Sequence, residues 1–457
     1  MKADPRSNSP GPTGPDPDPG WRRAVTVPSL PEAFATIPVE GRHWVRKLLA
    51  FAGPGLLVAV GYMDPGNWET DLAGGARFGY TLLSVVLISN FMAILLQHLA
   101  LKLGIVAGRD LAQACRDHYS PPVAITLWVL CEIAIAACDL AEVIGSAVAL
   151  NLLFRLPLEY GVLLTACDVL VVLLLQNRSF RSIEAVVVTL ILLIGSCFAY
   201  ELGLARPPAA ELLAGLVPTP EIVRDPSMLY VAVGILGATV MPHNLYLHSS
   251  IVQTRAFDRT ESGKAMAIRF ASIDSTAALL FAFFINAAIL VLASRVFHGT
   301  EHESAIGISN AYELLSPVLN NHWASVVFAV ALLASGQNST LTGTMAGQIV
   351  MEGFLHLRLR PWVRRLLTRL VAIVPAVVVA HFSGTDGIHK LLLLSQVILS
   401  LQLSFAVVPL IWFTSDRAKM GRFVNAPWLI ALSGIVAVLI MGLNGWLVWN
   451  GVFGDGA

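Results

Sequence analysis

The sequence predicts an all-α polytopic membrane protein, two of whose helices are broken near mid-span. Three observations predict it. Hydrophobic residues fill 56% of 457 positions and charged ones 13%, for a mean hydropathy of +0.70, well outside the composition of chains that fold in water. Weakly charged stretches of about twenty residues, the length of helix that crosses a bilayer, recur along nearly the whole chain beyond residue 45. Two of these stretches carry a proline among polar residues, at Asp64-Pro65-Gly66-Asn67 and at Met241-Pro242-His243.

Residues 1–45 are rich in Pro, Gly, Asp and Arg and hold no apolar run, so a disordered cytoplasmic tail is expected there rather than a signal peptide or a span. A single transmembrane domain then covers residues 46–452, with spans 1–5 at about 48–73, 81–104, 121–153, 161–177 and 183–203. Spans 6–10 follow at about 227–253, 268–294, 323–350, 365–384 and 388–413, and span 11 at about 427–450. An odd number puts the two termini on opposite sides. With the amino terminus inside, twenty-four Lys and Arg fall on the cytoplasmic face, including Arg358, Arg360, Arg364, Arg365 and Arg369 between spans 8 and 9. The other face keeps six: Arg77, Arg155, Arg206, Arg224, Arg295 and Lys390. Basic loops stay on the cytoplasmic side of a membrane, so this split predicts a cytoplasmic amino terminus and an extracytoplasmic carboxy terminus.

Formal net charge is zero, which gives no reason to expect a nucleic-acid partner. The five cysteines, Cys115, Cys131, Cys138, Cys167 and Cys197, are odd in number and lack CxxC spacing, so neither a disulfide framework nor a zinc cluster is expected.

A proline inside a span removes a backbone donor and frees carbonyls. In a membrane, freed carbonyls must face protein, water or an ion. Each break lies about fifteen residues into its span, and if spans 1–5 and 6–10 are two halves, the breaks occupy corresponding positions. Paired breaks of this kind mark a midplane substrate site. An aspartate in a span needs a partner, and for Asp64 the nearest is Asn67, three residues on, with an amide oxygen to offer. Across from them the Ala238 carbonyl is free, because Pro242 has no N–H to give it. Oxygen ligands alone suit magnesium or calcium. The Met241 thioether adds a soft ligand and shifts the expected cargo to manganese or iron.

Span 3 carries Glu132, Asp139 and Glu142 at i, i+7 and i+10, with the last two on one face. Carboxylates this deep mark a proton relay or ion pathway, with Arg364 and Arg365 available as partners; a static ion-pair network is the alternative. His243 and His248 stand at i and i+5, which is not the same-face spacing of HExxH, so they are not expected to form a metal pair. Each titrates near neutral pH when exposed. Asp168 and Asp274 are expected to pair or cap, and Asn286, Gln396 and Gln402 to bond helix to helix.

At these motifs the chain resembles the Nramp family of divalent-metal transporters. The matching stretches are Gly61-Tyr62-Met63-Asp64-Pro65-Gly66-Asn67, Gly74-Gly75-Ala76-Arg77, Asp139-Leu140-Ala141-Glu142, Gly237-Ala238-Thr239-Val240-Met241-Pro242-His243 and Leu333-Ala334-Ser335-Gly336-Gln337. The resemblance implies a LeuT-like fold, a 5+5 inverted repeat with broken helices 1 and 6 plus an eleventh, peripheral helix. It implies a metal site of Asp64, Asn67, the Ala238 carbonyl and Met241, joined by Gln396 in occluded states. Glu132, Asp139, Glu142, Arg364 and Arg365 resemble the family's proton-exit network, and His243 and His248 match histidines tied to proton coupling or gating. Magnesium-transporting relatives differ at the Met241 position.

The implied activity is proton-coupled symport of manganese, iron and similar ions into the cytoplasm by alternating access. The implied setting is a bacterial inner membrane, with metal, protons and lipid as the partners, a monomer as the working unit and no permanently bound cofactor. A magnesium or other divalent-cation transporter, or a sodium-coupled amino-acid symporter of the same fold, is the alternative. An enzyme is not expected, since a membrane metalloenzyme would need an open site with three ligands and an acid or base, and the acids here are spread along a possible pathway.

Overall fold

A computed structural model describes residues 20–23, 27–39, 43–168, 170, 174, 178–300 and 307–453. Among them nine helices are long and apolar enough to cross a membrane, ten with the two bent halves of span 1 taken as one. Their bounds extend the expected ones by a few residues: Leu83–Ala107, Pro121–Phe154, Phe180–Ala205, Glu261–Phe297, His322–Leu355, Pro361–Gly384, Gly387–Ser415 and Pro427–Asn450 are spans 2, 3, 5, 7, 8, 9, 10 and 11. Span 4 is described as a helix over Leu158–Leu164 and a 3-10 turn over Thr165–Asp168, and most of its remaining residues lie outside the described ones.

Local chemistry sets the ends. Pro121, Pro226, Pro361 and Pro427 stand at the first turn of spans 3, 6, 9 and 11, where a preset φ helps and no N–H is missed. Gly384, at φ 59°, separates spans 9 and 10.

The two broken spans lie at the centre. Span 6 is 94% buried across its apolar window, against 28% for span 9 and 33% for spans 5 and 11. A helix apolar all round belongs inside, and span 6 is enclosed by protein while span 11 lies at the edge. Span 3 packs on span 8 and on the helices of spans 9 and 10, and span 7 packs on the second half of span 1 and on span 2.

Part of the expected disordered tail is not disordered. Residues 1–19, 24–26 and 40–42 lie outside the described ones, but the rest of the tail crosses the body. Trp21 is buried against Phe413, with the guanidinium of Arg109 4.6 Å from its ring centre. Leu30 N–H donates to Glu352 at 3.2 Å, and Ile37–Pro38 forms a two-residue parallel ladder with Arg255–Ala256 beyond span 6. Between tail, span 5 and span 8 lies a cavity of about 580 Å³, lined by Leu30, Ile37, Phe180, Arg181, Leu341 and Gln348 among others. Composition missed this because three isolated apolar residues, Trp21, Leu30 and Ile37, show no periodicity; they bind a surface made by distant elements. Truncating a buried aromatic costs about 3–5 kcal/mol, so Trp21→Ala is expected to release the strap. Limited proteolysis should then cut between residues 27 and 39 much faster than in wild type.

Candidate metal site and ion-pair network

Span 1 is helical over Pro54–Val60 and again over Pro65–Phe78, and its two halves are bent by 59°. Asp64 caps the second half: its Oδ1 accepts the Asn67 backbone N–H at 2.9 Å, the usual bond of an N-cap carboxylate. Span 6 stops at Thr239 and restarts at Pro242, with Met241 in extended backbone between. The turn in span 1 is held open by its Met63 carbonyl, which accepts from Trp68 Nε1 at 3.1 Å and from Ser335 Oγ at 2.5 Å. That contact explains the Ala334-Ser335-Gly336 motif of span 8.

Three oxygens converge between the breaks. Asp64 Oδ1, the Ala238 carbonyl and the Gly61 carbonyl lie 2.6, 3.0 and 3.2 Å from the single nitrogen Asn67 Nδ2. That nitrogen has two hydrogens for three acceptors. Turning the amide over, which exchanges two atoms that look alike at ordinary resolution, puts Asn67 Oδ1 into the cluster and leaves an all-oxygen cradle suited to a cation. Gln396 reaches it from span 10: a Cβ on Gly66 would lie 1.9 Å from Gln396 Nε2, so only glycine admits this approach. Asp64 Oδ2 and Gln396 Oε1 are buried without hydrogen-bond partners, where such groups are otherwise paired. Met241 is buried among Ala134, Cys138 and Leu399 at the break, three residues from the Ala238 carbonyl. Asp64, Asn67, Ala238, Met241 and Gln396 are all 0–1% exposed, so the site is shut on both sides. It has one carboxylate, and among the described residues no three His, Cys, Asp or Glu gather as a metal cluster.

The span 3 acids meet the span 9 arginines. Arg365 bonds Asp139, Glu142 at 2.8 Å and Asp168 at 3.4 Å. Arg369 bonds Asp168 and stands 3.8 Å from Glu142, while Arg364 makes a separate 2.9 Å pair with the half-buried Glu132. Three buried carboxylates thus share two guanidinium groups. His243 Nε2 lies 3.9 Å from Cys138 Sγ, which is 3.8 Å from Glu142 Oε1, so a chain of side chains runs from the span 6 break to this network. His248 is apart from it: its Nδ1 is 3.0 Å from Gln97 Oε1, and Gln97 donates to the Tyr62 hydroxyl in the span 1 break. Asp274 does cap, accepting from the N–H groups of Gly53 and Gly55 at 3.3 and 2.7 Å.

Residues 55–450 match the family described as natural resistance-associated macrophage protein-like, Nramp. The chain belongs to the Nramp family. It is 59% identical over 430 residues to the divalent metal cation transporter MntH of Listeria innocua, a match that spans 94% of this chain and 96% of that one. The solved structure of the Eremococcus coleocola manganese transporter, bound to an aromatic bis-isothiourea substituted compound, superposes with a TM-score of 0.86 at 42% identity, over 94% of this chain and 93% of that one. MhsT in complex with L-phenylalanine, at 16% identity and a TM-score of 0.59 over 86% of this chain and 98% of that one, shares the fold alone, which is LeuT-like.

Three groups that the structure brings to the candidate site or its ion-pair network are not given that place by the sequence reading. The Gly61 carbonyl is a backbone atom and leaves no compositional trace. Arg369, four residues after Arg365, shares its helix face, and that spacing was the available signal. Asp168 was expected to pair, but its partners lie about two hundred residues away, beyond any local pattern.

Proposed function

We propose that this Nramp chain carries divalent transition-metal ions, manganese foremost and iron with it, into the cytoplasm together with protons by alternating access. The observation that carries the reading is the convergence of Asp64, Gly61 and Ala238 oxygens on Asn67 between two broken helices. Divalent oxygen ligation with a thioether at the same break favours a transition metal over magnesium or calcium. The names of the relatives, a divalent metal cation transporter and a manganese transporter, agree with that choice.

Proton coupling follows from charge. Asp139, Glu142 and Asp168 exceed Arg365 and Arg369 by one negative charge, room for one proton. A dication arriving at Asp64 favours ionised carboxylates and displaces that proton. Closure of one half of the repeat against the other around the breaks alternates access. The chain works as a monomer in a bacterial inner membrane, with the network of spans 3 and 9 toward the cytoplasm, the orientation that the Lys and Arg distribution supports.

Metal uptake into proteoliposomes under an imposed pH gradient tests the reading. Wild type is expected to take up manganese faster when the outside is acidic and to carry protons with it. Met241→Ala is expected to keep manganese uptake but to lose most of its discrimination against magnesium and calcium, read as the ratio of competition constants. Uptake indifferent to the gradient would remove the proton from the mechanism, and unchanged selectivity would remove Met241 from the site.

A further inference from the structure

Beyond the metal site, the second half of span 1 is tied to other elements by polar contacts at two places among the described residues. One is the Ala76 carbonyl, 3.0 Å from His298 Nδ1. The other is Glu69, which is buried and reaches two elements at once. Its Oε1 is 3.2 Å from Nδ1 of His389 at the start of span 10, and its Oε2 is 3.3 Å from that nitrogen and accepts the Ile308 N–H at 3.3 Å. The His389 ring lies against Gly307, where a Cβ would stand 2.0 Å from Cε1, so the pair is closely seated between the connection of spans 7 and 8 and span 10.

The position of this contact gives it a role. Glu69 is five residues beyond Asp64 on the same half-helix, and His389 is seven residues before Gln396 on the same face of span 10, two helical turns away. The two helices that supply Asp64, Asn67 and Gln396 are therefore joined at two levels, by Gln396 against Gly66 beside the site and by His389 against Glu69 above it. This is the side opposite Arg364, Arg365 and Arg369. An ion coming from that side must pass between these helices, and a hydrogen bond from imidazole to carboxylate has to break for them to part. We propose that Glu69 and His389 form the latch that closes the metal site on the face opposite the span 9 arginines. The proposal rests on the transport reading above, in which that face is extracytoplasmic.

The latch can be tested without relying on transport. Ala73, one turn beyond Glu69 and buried, is replaced by cysteine in a Cys167→Ser background, since the other four cysteines are buried. A membrane-impermeant maleimide then reports opening as a labelling rate. Loss of a buried charge-assisted bond shifts the closed-to-open balance about tenfold or more, so Glu69→Gln and His389→Ala should each speed labelling by about that factor. The double variant should be no faster than either single one, as partners in one contact require. Unchanged labelling in both, or additive effects, would overturn the latch. In a second arm, Glu69→Cys with His389→Cys is oxidised by copper phenanthroline, which is expected to stop both labelling at position 73 and manganese uptake until dithiothreitol restores them. Oxidised protein that forms the disulfide and still transports would also overturn it. If wild type itself carries no manganese, the transport reading fails while the labelling result still judges the latch.

Discussion

Asp64→Ala protein reconstituted under a pH gradient is expected to take up no manganese above the level of empty vesicles. Asp64 is the one carboxylate in the site, and it is fully buried. A dication brought out of water needs a negative partner, because an uncompensated charge in a buried site costs several kcal/mol. At about 1.4 kcal/mol per decade, loss of 3 kcal/mol or more weakens binding over a hundredfold. The side chain also caps the half-helix that holds Asn67, so alanine removes two things at once. Asp64→Asn separates them: asparagine still caps but carries no charge. Both variants should lose manganese binding by calorimetry, with Asp64→Asn retaining the melting temperature of wild type. Manganese uptake that survives in Asp64→Asn would show that the charge is not what the site supplies.

The second large effect is expected at Arg365. Its guanidinium is shared by Asp139, Glu142 and Asp168, and removing it takes away the one ion pair that Asp139 makes among the described residues. Breaking a buried pair from one side costs about 3–5 kcal/mol, because the remaining charge stays buried. Arg365→Ala should therefore melt far below wild type in detergent, and Arg365→Lys should recover little, since an ammonium cannot match the guanidinium fork. Glu142→Gln keeps shape and volume while removing one excess negative charge. It should fold, carry manganese, and lose the acceleration by external acid, read with a pH dye inside the vesicles. A Glu142→Gln protein with undiminished proton entrance would place the coupling elsewhere. Together the two variants test whether one part of the network holds spans 3 and 9 together while another exchanges a proton.

These residues were not equally legible in the sequence. Asp64, Asn67 and Met241 announce themselves because a proline, a polar group and an apolar run sit within four residues of one another, and the rule that freed carbonyls must be satisfied in a membrane is local. Glu132, Asp139 and Glu142 were visible for the same reason: a charge in an apolar helix has few readings. Glu69 and His389, by contrast, lie near helix ends, where a charged residue is ordinary, and only their 3.2 Å approach across 320 residues makes them a pair. Trp21 and Ile37 likewise look like strays in a polar tail until the surfaces of Phe413 and Arg255 are placed beneath them.

Which segments are apolar enough to span a membrane, where two of them break, and which side chains stand at the breaks could be read along the chain. Each follows from free energies that a short stretch of chain carries alone: transfer of apolar length into lipid, loss of a donor at proline, burial of a charge. The tertiary structure decided what those groups meet. It added the Gly61 carbonyl to the Asn67 cluster, made Arg369 and Asp168 part of the Arg365 network, set Glu69 on His389, and bound part of the tail against Phe413, Glu352 and Arg255. Such contacts join residues far apart in sequence, and their energies depend on distances that exist only once the helices are packed.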